Sequence, residues 1–364
     1  MGGIGHANRG WLRAFLVSKP IHWSLVTLFS SAVSEADIFN LVPELREGKN
    51  EILRADAGMI APEFEQLNLP VLLKRLNIDL YFNPCFAIPA IKTTRYRSSV
   101  VHDVVFFEYP SFVDQKLCRY LRHATDLAIN RADVIFTVSE FSRGRIRSHA
   151  EGIGTKRQPE IPIIRPSISD ELKRAAATLP KPPRAEQLLY LGSVEKKKGA
   201  EVLLDAFVRI SEVLRERCPR LLLAGGTGGQ QFDVLGEIRR RNLTCVEVLG
   251  HVSEKEKFDL LRNAAVFVFP SLYEGFGIPP LEAMAFGVPV VAAASTSLPE
   301  VLGDAALYTP PGNAIELANG IMRLLTDAPL RAGLIERGLK RALLYTPQNE
   351  VRALINAFSQ LEHK

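Results

Sequence analysis

Two glutamates eight positions apart carry the clearest chemical signal in this sequence. Glu274 and Glu282 lie in the segment "SLYEGFGIPPLEAM", residues 271–284, the first in a glycine-rich bend and the second about one turn into the following helix. The N-terminus of a helix attracts phosphates, which nearby carboxylates would repel. Carboxylates fit such a site if they accept hydrogen bonds from hydroxyl groups on either side of a diphosphate. The pattern therefore predicts a nucleotide-sugar site; two unrelated surface glutamates are the alternative.

The residues between the two glutamates suit that interpretation. Gly275 and Gly277 leave backbone amides that no side chain shields. Pro279 and Pro280 suit the first turn of a helix, where the missing N–H of proline costs nothing. We therefore expect a strand end, a ligand-facing bend and a helix over 279–287.

Two more glycine-containing turns follow predicted strands. "LGSVEKKKG" places Lys196, Lys197 and Lys198 between a strand end and a helix start, where their charges would hold a diphosphate. A solvated charge is the alternative for at least one of the three lysines. "LLLAGGTGG" places Gly225 and Gly226 after the next strand, and a tight structural turn explains this motif equally well.

Hydrophobic patterns in the second half alternate between strands and helices. Short apolar runs typical of buried strands are separated by segments with helical spacing. The strands are predicted over 187–194, 220–226, 265–270 and 288–294, and the helices over 199–216, 254–264 and 279–287. Such an alternation indicates a parallel sheet in doubly wound α/β form, in which ligands bind at the carboxyl ends of the strands.

The first half shows the same alternation less clearly, so we expect two Rossmann-like domains. The predicted boundaries are a first domain over 1–165, a proline-rich linker over 166–185, a second domain over 186–340 and a C-terminal helix over 341–364. The resemblance described below implies that the first is the acceptor-side domain and the second the donor-binding domain. The sequence begins at the glycine turn "GGIGHANRGWL", whereas a doubly wound domain normally begins with a strand. The first strand is therefore expected to be missing.

The composition is that of a globular protein of 364 residues, with 47% hydrophobic and 23% charged residues. No run approaches the roughly 20 apolar residues of a membrane span, and the start lacks the pattern of a signal peptide. The four separated cysteines fit neither a metal site nor a disulfide framework and favour a cytoplasmic protein. A net charge of +5 is too small to indicate a nucleic-acid partner.

Residues 186–327 resemble the donor-binding domain of retaining, family 4 glycosyltransferases of the GT-B type. The segment "EGFGIPPLEAMAFGVPVVAAASTSLPEVLGDAALYTPPGN" is similar to that family, especially to its bacterial mannosyltransferase-like members of surface-polysaccharide synthesis. In the first half, "VVHDVVFFEYPSF" resembles the family's strand-end histidine segment, and "ADVIFTVSEFSRGRI" its next strand and helix. The resemblance implies a GT-B fold, in which two Rossmann-like doubly wound domains face each other across a cleft.

The resemblance also implies residue roles. Glu274 would contact the hydroxyls of the donor sugar, Glu282 the ribose and Lys198 the donor phosphates. Many members carry an arginine where this chain has Ser193, and we take Lys197 as its substitute because other members carry a basic pair at 197–198. The full set of donor-binding residues that we expect is Gly2, Gly3, Ser193, Lys197, Lys198, Gly225, Gly226, Gly275, Phe276, Gly277 and Glu282.

His102 would lie across the cleft near the reacting side of the sugar, and it completes the expected catalytic set with Glu274 and Lys198. A strand-end histidine held by local backbone is the alternative. No acidic pair of the D-x-D kind follows a strand, so we expect lysines rather than a metal ion to stabilise the leaving diphosphate, and no cofactor. The family's reaction would be a same-face displacement of a hexose, with GDP-mannose as the first choice of donor.

The expected partners are a nucleotide sugar and a glycan or lipid-linked glycan acceptor. Arg143, Arg145 and Arg147 indicate peripheral contact of the first domain with the anionic inner face of a membrane, and an ordinary basic surface is the alternative. Two other functions stay open. One is a catalytically impaired glycosyltransferase-like partner protein, suggested by the missing strand, and the other a nicotinamide-dependent oxidoreductase that uses "AGGTGG".

Overall fold

The computed structural model describes residues 61–157, 159–178, 187–226 and 232–362, with scattered positions before residue 61. The chain divides into two units. One comprises Met1–Ser167 and Pro347–Lys364, and the other Ile168–Thr346. Gly2 and Gly3, and with them the predicted N-terminal glycine turn, lie outside the described residues.

Parallel strands form the sheets of the first unit. Strands β3, β4 and β5 lie side by side in that order, and β1 pairs with β2. The strands are β1 (Leu25–Ser30), β2 (Asn50–Ala55), β3 (Leu80–Asn83), β4 (Tyr96–Val100) and β5 (Val134–Phe136). All but one residue of β4 and every residue of β5 are buried, as expected for the interior of a parallel sheet.

The helices of the first unit connect and cover these strands. They are α1 (Ala61–Glu63), a π-helix (Phe64–Asn68), α2 (Leu69–Arg75), α3 (Val105–Glu108), α4 (Gln115–Arg131) and α5 (Glu140–Gly152). Helix α4 begins where the Asp114 side chain accepts hydrogen bonds from the amides of Lys116 and Leu117. Ser139 caps α5 in the same way, so polar residues set both starts.

The second unit is built on a six-stranded parallel sheet in the order β8-β7-β6-β9-β10-β11. Its strands are β6 (Gln187–Leu191), β7 (Arg220–Ala224), β8 (Val246–Gly250), β9 (Val266–Phe269), β10 (Val290–Ala293) and β11 (Ala306–Thr309). Counted from the first strand of the unit, this is the 3-2-1-4-5-6 order of a Rossmann domain. The predicted parallel sheet is therefore present.

Helices cover the sheet of the second unit. They are α6 (Asp170–Thr178), α7 (Ala200–Leu214), α8 (Val234–Arg240), α9 (Glu254–Asn263), α10 (Ile278–Ala285), α11 (Leu298–Leu302), α12 (Ala314–Thr326) and α13 (Ala328–Ala342). Apolar faces of α7 and α12 pack with β6, β7 and β9 in one core, which includes the fully buried Tyr190 and Phe207.

Two segments differ from their sequence predictions. The stretch 166–185 was predicted as a linker, but it contains α6, whose Leu172 is buried. The C-terminal helix, predicted over 341–364, is α14 (Pro347–Glu362) and belongs to the first unit. Its Phe358 ring makes edge contacts with Phe82 and Phe136, at centroid distances of 5.5 and 5.4 Å. Local patterning identified the helix but could not identify the unit that it covers.

Candidate active site

The strand order of the second unit places the turns after β6 and β9 side by side. These two strands are neighbours at the point where the order of strand addition reverses, which is where open α/β sheets bind ligands. The amide of Leu272, after β9, donates to the carbonyl of Lys197, after β6, at 2.9 Å. Two motifs that are distant in the sequence therefore form one site.

Lys198 and Glu274 meet in this site. The Lys198 Nζ lies 2.7 Å from Oε1 and 2.8 Å from Oε2 of Glu274. The two side chains are only 20% and 10% exposed, so each charge depends on the other for compensation. The Glu274 amide donates to Oγ1 of Thr296 at 3.0 Å, which holds the bend at this residue. Two of the three predicted catalytic residues are thus in direct contact.

Glycine is required at two close approaches beside this pair. Gly199 has a φ of 74°, and a β-carbon there would lie 2.1 Å from the carbonyl oxygen of Pro270. Gly277 has a φ of 101°, and its β-carbon would lie 2.6 Å from Cδ2 of Leu298. A larger residue at Gly199 would push apart the turns that carry Lys198 and the bend after β9.

Hydroxyl groups from the turn after β10 hold the bend after β9. The Ser297 Oγ donates to the carbonyls of Glu274 and Phe276, both at 3.0 Å. The Phe276 ring is buried edge-on against Tyr345, with centroids 5.5 Å apart. Any contact of Phe276 with a donor would therefore use its backbone. Sequence reasoning missed Thr296 and Ser297, although polar residues directly after a strand were a usable signal.

Glu282 lies in α10 and pairs with Lys257 of α9. The Lys257 Nζ is 2.9 Å from Oε1 of Glu282 and 3.1 Å from Oε2 of Glu254. Burial raises the pKa of Glu282, and the charge of Lys257 offsets only part of that effect. Burial acts against the charge of Lys257, but the two carboxylates outweigh it and raise the lysine pKa. Sequence reasoning missed Lys257, because no local pattern links residues on separate helices.

Ser193 and Lys197 in the turn after β6 differ in their contacts. The Ser193 Oγ donates to Oε1 of Glu195 at 2.8 Å, so this hydroxyl is already engaged. The half-buried side chain of Lys197 forms no ion pair with any residue that the structure describes. Lys197 therefore offers an uncompensated positive charge beside the Lys198–Glu274 pair.

Gly225 and Gly226 join the turn after β7 to the turn after β6. Gly225 has a φ of 146°, and a β-carbon there would lie 1.9 Å from the Gly192 carbonyl oxygen. The Gly226 carbonyl accepts from the Val194 amide at 2.9 Å. The close approach requires glycine at position 225, whereas a β-carbon at Gly226 would meet no atom within 4 Å. The role of both residues in donor binding stays a prediction.

In the first unit, His102 follows β4 and is buried. Its Nε2 lies 2.8 Å from the Pro84 carbonyl. A carbonyl oxygen only accepts, so Nε2 carries the proton and Nδ1 has the lone pair in the neutral ring. Burial lowers the pKa of His102, which favours that neutral form. This backbone contact was the alternative to a catalytic role, and the role stays a prediction.

Three further observations concern metal binding and membranes. Within the described ranges, no three or more His, Cys, Asp or Glu side chains lie close enough together to hold a metal ion. None of the helices in those ranges combines the length and the apolar character needed to cross a bilayer. On α5, Arg143 pairs with Glu140 and Arg145 pairs with Glu108, so two of the three predicted membrane-facing arginines are compensated.

The chain is similar to known proteins in both sequence and structure. The family described as "Glycosyl transferases group 1" matches residues 173–341. The O-antigen chain mannosyltransferase B of Escherichia coli is 32% identical over 293 residues, which cover 78% of this chain and 74% of that protein. Glycogen synthase of Mycobacterium tuberculosis is 28% identical over 270 residues, covering 70% and 63%. The structure of Anabaena HepE with UDP and glucose matches with a TM-score of 0.74 at 20% identity, covering 98% and 96%.

These similarities bear on fold and on enzyme class. The structural match confirms the predicted fold class, GT-B with two Rossmann-like domains. The sequence relatives transfer sugars, and the chain is a hexosyltransferase as predicted. From its match to the mannosyltransferase over most of both sequences, the chain belongs to the group 1 glycosyltransferase family.

Proposed function

We propose that the chain moves a hexose from a nucleotide sugar to a hydroxyl of a glycan or lipid-linked glycan, with retention at the anomeric carbon. GDP-mannose is the first choice of donor, and the Escherichia coli O-antigen chain mannosyltransferase supports it. The glycogen synthase relative and the UDP and glucose bound to HepE make uridine and glucose donors the competing choices.

The Lys198–Glu274 pair is the observation that carries this proposal. A bound nucleotide sugar offers each member a partner, a phosphate for Lys198 and a sugar hydroxyl for Glu274. Binding would therefore replace one ion pair by two charge-assisted contacts and leave neither charge unpaired. An anion without hydroxyls would engage Lys198 but leave Glu274 uncompensated. The pair thus selects for a ligand that carries both groups.

The Glu282–Lys257 pair suits the nucleoside end of the same ligand. Lys257 engages Oε1 of Glu282, whereas Oε2 has no hydrogen-bond partner among the described residues. The side chain of Glu282 is 14% exposed. A ribose with two adjacent hydroxyls would satisfy the second oxygen. Lys257 would keep the carboxylate ionised and oriented for that contact.

The proposed reaction needs no protein nucleophile. The bond from the anomeric carbon to the phosphate oxygen breaks, and the bond to the acceptor oxygen forms on the same face. The departing phosphate takes the proton of the acceptor hydroxyl. Lys197 and Lys198 stabilise the charge that develops on the diphosphate, which is usually the largest catalytic contribution. Glu274 orients the sugar through its hydroxyls.

His102 would act on the sugar from the first unit. Its neutral ring carries a lone pair on Nδ1, which can accept a hydrogen bond from a sugar hydroxyl. A charged imidazolium would lose that capacity, and burial of the ring opposes the charged form. We therefore assign His102 to the orientation of the sugar rather than to proton transfer.

We also propose weak peripheral docking of the first unit on anionic membranes. Arg147 on α5 is exposed and has no ion pair with any described residue, in contrast to Arg143 and Arg145. A well-placed basic residue contributes about 1 kcal/mol to such binding. Co-sedimentation with phosphatidylserine vesicles should fall with salt and fall more in Arg147→Gln than in Arg143→Gln. Binding that ignores lipid charge would refute this docking.

A screen of GDP-, UDP- and ADP-sugars tests the proposed transferase activity. Thermal unfolding identifies ligands, because a ligand at 100 times its dissociation constant stabilises the fold by about 2.7 kcal/mol. Hydrolysis of each stabilising sugar nucleotide then measures turnover. Lys198→Met should abolish both the thermal stabilisation and the hydrolysis. Lys196 is an exposed lysine in the same turn, and Lys196→Met should keep both. If no nucleotide sugar stabilises or turns over, the proposal fails.

A further inference from the structure

A second group of polar side chains lies at the carboxyl end of β3 in the first unit. The Tyr120 hydroxyl donates to Oε2 of Glu65 at 2.7 Å. Asn83 is the last residue of β3, and its Oδ1 accepts from the Cys85 amide at 2.9 Å. None of these residues has a part in the reaction proposed above.

The backbone around Glu65 is unusual and well anchored. Glu65 lies in the π-helix Phe64–Asn68, a form that occurs mostly as single turns inside α-helices and frequently at functional sites. The next residue, Gln66, donates to the Ile88 carbonyl at 3.1 Å and accepts from the Ala90 amide at 2.8 Å. These two bonds tie the π-helix that contains Glu65 to the segment that follows β3.

Glu65 is a half-buried carboxylate whose side chain has one hydrogen-bond partner, Tyr120, among the residues that the structure describes. Within the described part of the chain, no Lys, Arg or His pairs with it, and its Oε1 has no hydrogen-bond partner. Burial raises the pKa of Glu65, and the bond from Tyr120 offsets part of that shift. Burial, and after it the charge of Glu65, raise the pKa of the Cys85 thiol to about 11. A carboxylate in this state is suited to accept hydrogen bonds from a ligand.

We propose that Glu65, Tyr120 and Asn83 form a hydroxyl-binding subsite for a pyranose ring of the acceptor glycan. A carboxylate, a phenol and a carboxamide supply acceptors and donors, and tyrosine rings supply apolar faces for the C–H groups of a sugar. The negative charge of Glu65 would repel a phosphate, so the subsite fits an uncharged polyol.

The subsite also adjoins a predicted catalytic residue. The carbonyl that binds His102 belongs to Pro84, which directly precedes Cys85 in the chain. The same strand end therefore holds both the histidine and the hydroxyl-binding group. This inference rests on the proposed function, because a glycan acceptor is expected only if the chain transfers a sugar.

Transfer and hydrolysis measured in parallel test the subsite. With the donor found in the screen, transfer to methyl α-mannoside and transfer to water are followed for wild type and Glu65→Gln. We expect the acceptor kcat/KM to fall about tenfold or more, the effect of one charge-assisted hydrogen bond, with hydrolysis unchanged. Glu63→Gln, an exposed glutamate two residues away, should change neither. Unchanged transfer in Glu65→Gln, or a parallel loss of hydrolysis, would overturn the proposal.

Alkylation of the exposed Cys85 tests the subsite without turnover. A panel of methyl glycosides is added at alkaline pH, and the modified Cys85 peptide is quantified by mass spectrometry. We expect a glycoside to slow the alkylation in wild type, and Glu65→Gln to accelerate it, since loss of the carboxylate lowers the thiol pKa. If no glycoside protects Cys85, the subsite is wrong. If wild type turns over no nucleotide sugar, the proposed function is refuted instead. Slower alkylation of Cys85 with a methyl glycoside would still show that the subsite binds sugars.

Discussion

The glutamates that we propose as ligand-binding residues have different partners in the two units. In the second unit each predicted ligand-binding glutamate contacts a lysine, Glu274 with Lys198 and Glu282 with Lys257. In the first unit Glu65 has a tyrosine hydroxyl and, within the described residues, no cation. Ion pairs of lysine and glutamate suit a ligand that carries both phosphates and hydroxyls. An uncompensated carboxylate suits an uncharged polyol.

The proposed site residues of the two units also differ in their basic side chains. Burial lowers the pKa of His102, which favours a neutral ring in the first unit. The second unit has Lys197 and the Lys198–Glu274 pair in the turns after β6 and β9. If the proposed roles hold, donor binding should be sensitive to the loss of one charge, whereas acceptor binding should depend on hydrogen bonds. Variants of the two units should separate these effects.

The largest expected effect is that of removing Lys198 in the second unit. Lys198→Ala removes the charge aimed at the leaving diphosphate and leaves Glu274 buried without its partner. We expect kcat/KM for the donor to fall about a hundredfold or more. Steady-state hydrolysis measures this, and Lys196→Ala is the matched control. A loss below about tenfold would mean that Lys198 does not face the leaving group.

Glu274→Gln should separate turnover from nucleotide binding. The carboxylate is assigned to the reacting sugar, so we expect turnover to fall about tenfold to a hundredfold. Affinity for the free nucleoside diphosphate should not fall, because loss of the carboxylate frees Lys198 for phosphate. Calorimetric titration of the diphosphate checks this. A parallel loss of diphosphate affinity would contradict the assignment of Glu274 to the sugar.

Lys257→Met should destabilise the second unit in a pH-dependent way. The variant leaves Glu282 buried without its cation, which should cost about 1–3 kcal/mol at neutral pH. Burial already raises the pKa of Glu282 in the folded protein, and loss of the Lys257 charge raises it further. In the variant it is the ionised carboxylate, rather than the neutral acid, that opposes folding. The deficit should therefore shrink as pH falls through that raised pKa. Urea unfolding at several pH values measures it, and a deficit independent of pH would argue for lost packing alone.

Nucleotide affinity should depend on the ionisation of Glu282. A raised pKa means that Glu282 gains its proton at a higher pH than an ordinary glutamate. The protonated acid accepts hydrogen bonds poorly, so wild-type affinity should decline as pH falls through this range. Glu282→Gln should bind about tenfold more weakly at neutral pH and show less pH dependence. A nucleoside diphosphate that lacks the ribose hydroxyls should bind wild type and Glu282→Gln with equal affinity. A weaker affinity of Glu282→Gln for this analogue would refute the ribose contact.

The smallest expected effect is that of a chelator. If Lys197 and Lys198 stabilise the leaving diphosphate, turnover should be unchanged by EDTA. The measurement is donor hydrolysis before and after chelation and after addition of magnesium. Loss of turnover that magnesium restores would show that a metal ion, rather than the two lysines, neutralises the diphosphate.

Much of the second unit could be predicted from local patterns. The segment 265–287 reads as strand, bend and helix, and the structure has β9, the bend at Glu274 and α10. Buried runs and glycine or proline at the element ends are local properties, so they are visible in the sequence. The helix inside the predicted linker was missed, because proline-rich flanks obscured the apolar positions of Asp170–Thr178.

Sequence and resemblance selected Lys198, Glu274 and Glu282, but not the groups that hold them. Lys257 is on a different helix from Glu282, and Ser297 reaches the bend from the turn after β10. Glu65 lies in a π-helical turn, which hydrophobic periodicity does not distinguish from an α-helix. Each of these contacts joins elements that are distant in the chain, and no spacing rule predicts them.

The sequence by itself determined the strands, the turns and the residue types at the strand ends, because these follow from hydrophobic periodicity and backbone preferences over a few residues. Only the tertiary structure decided which of them meet. The order β8-β7-β6-β9-β10-β11 brings Lys198 into contact with Glu274, 76 residues later in the chain. Helix α14 packs in the first unit, where its Phe358 contacts Phe82. Strand order and helix docking are set by the burial of whole faces against one another, a property of the assembled units that local sequence does not contain.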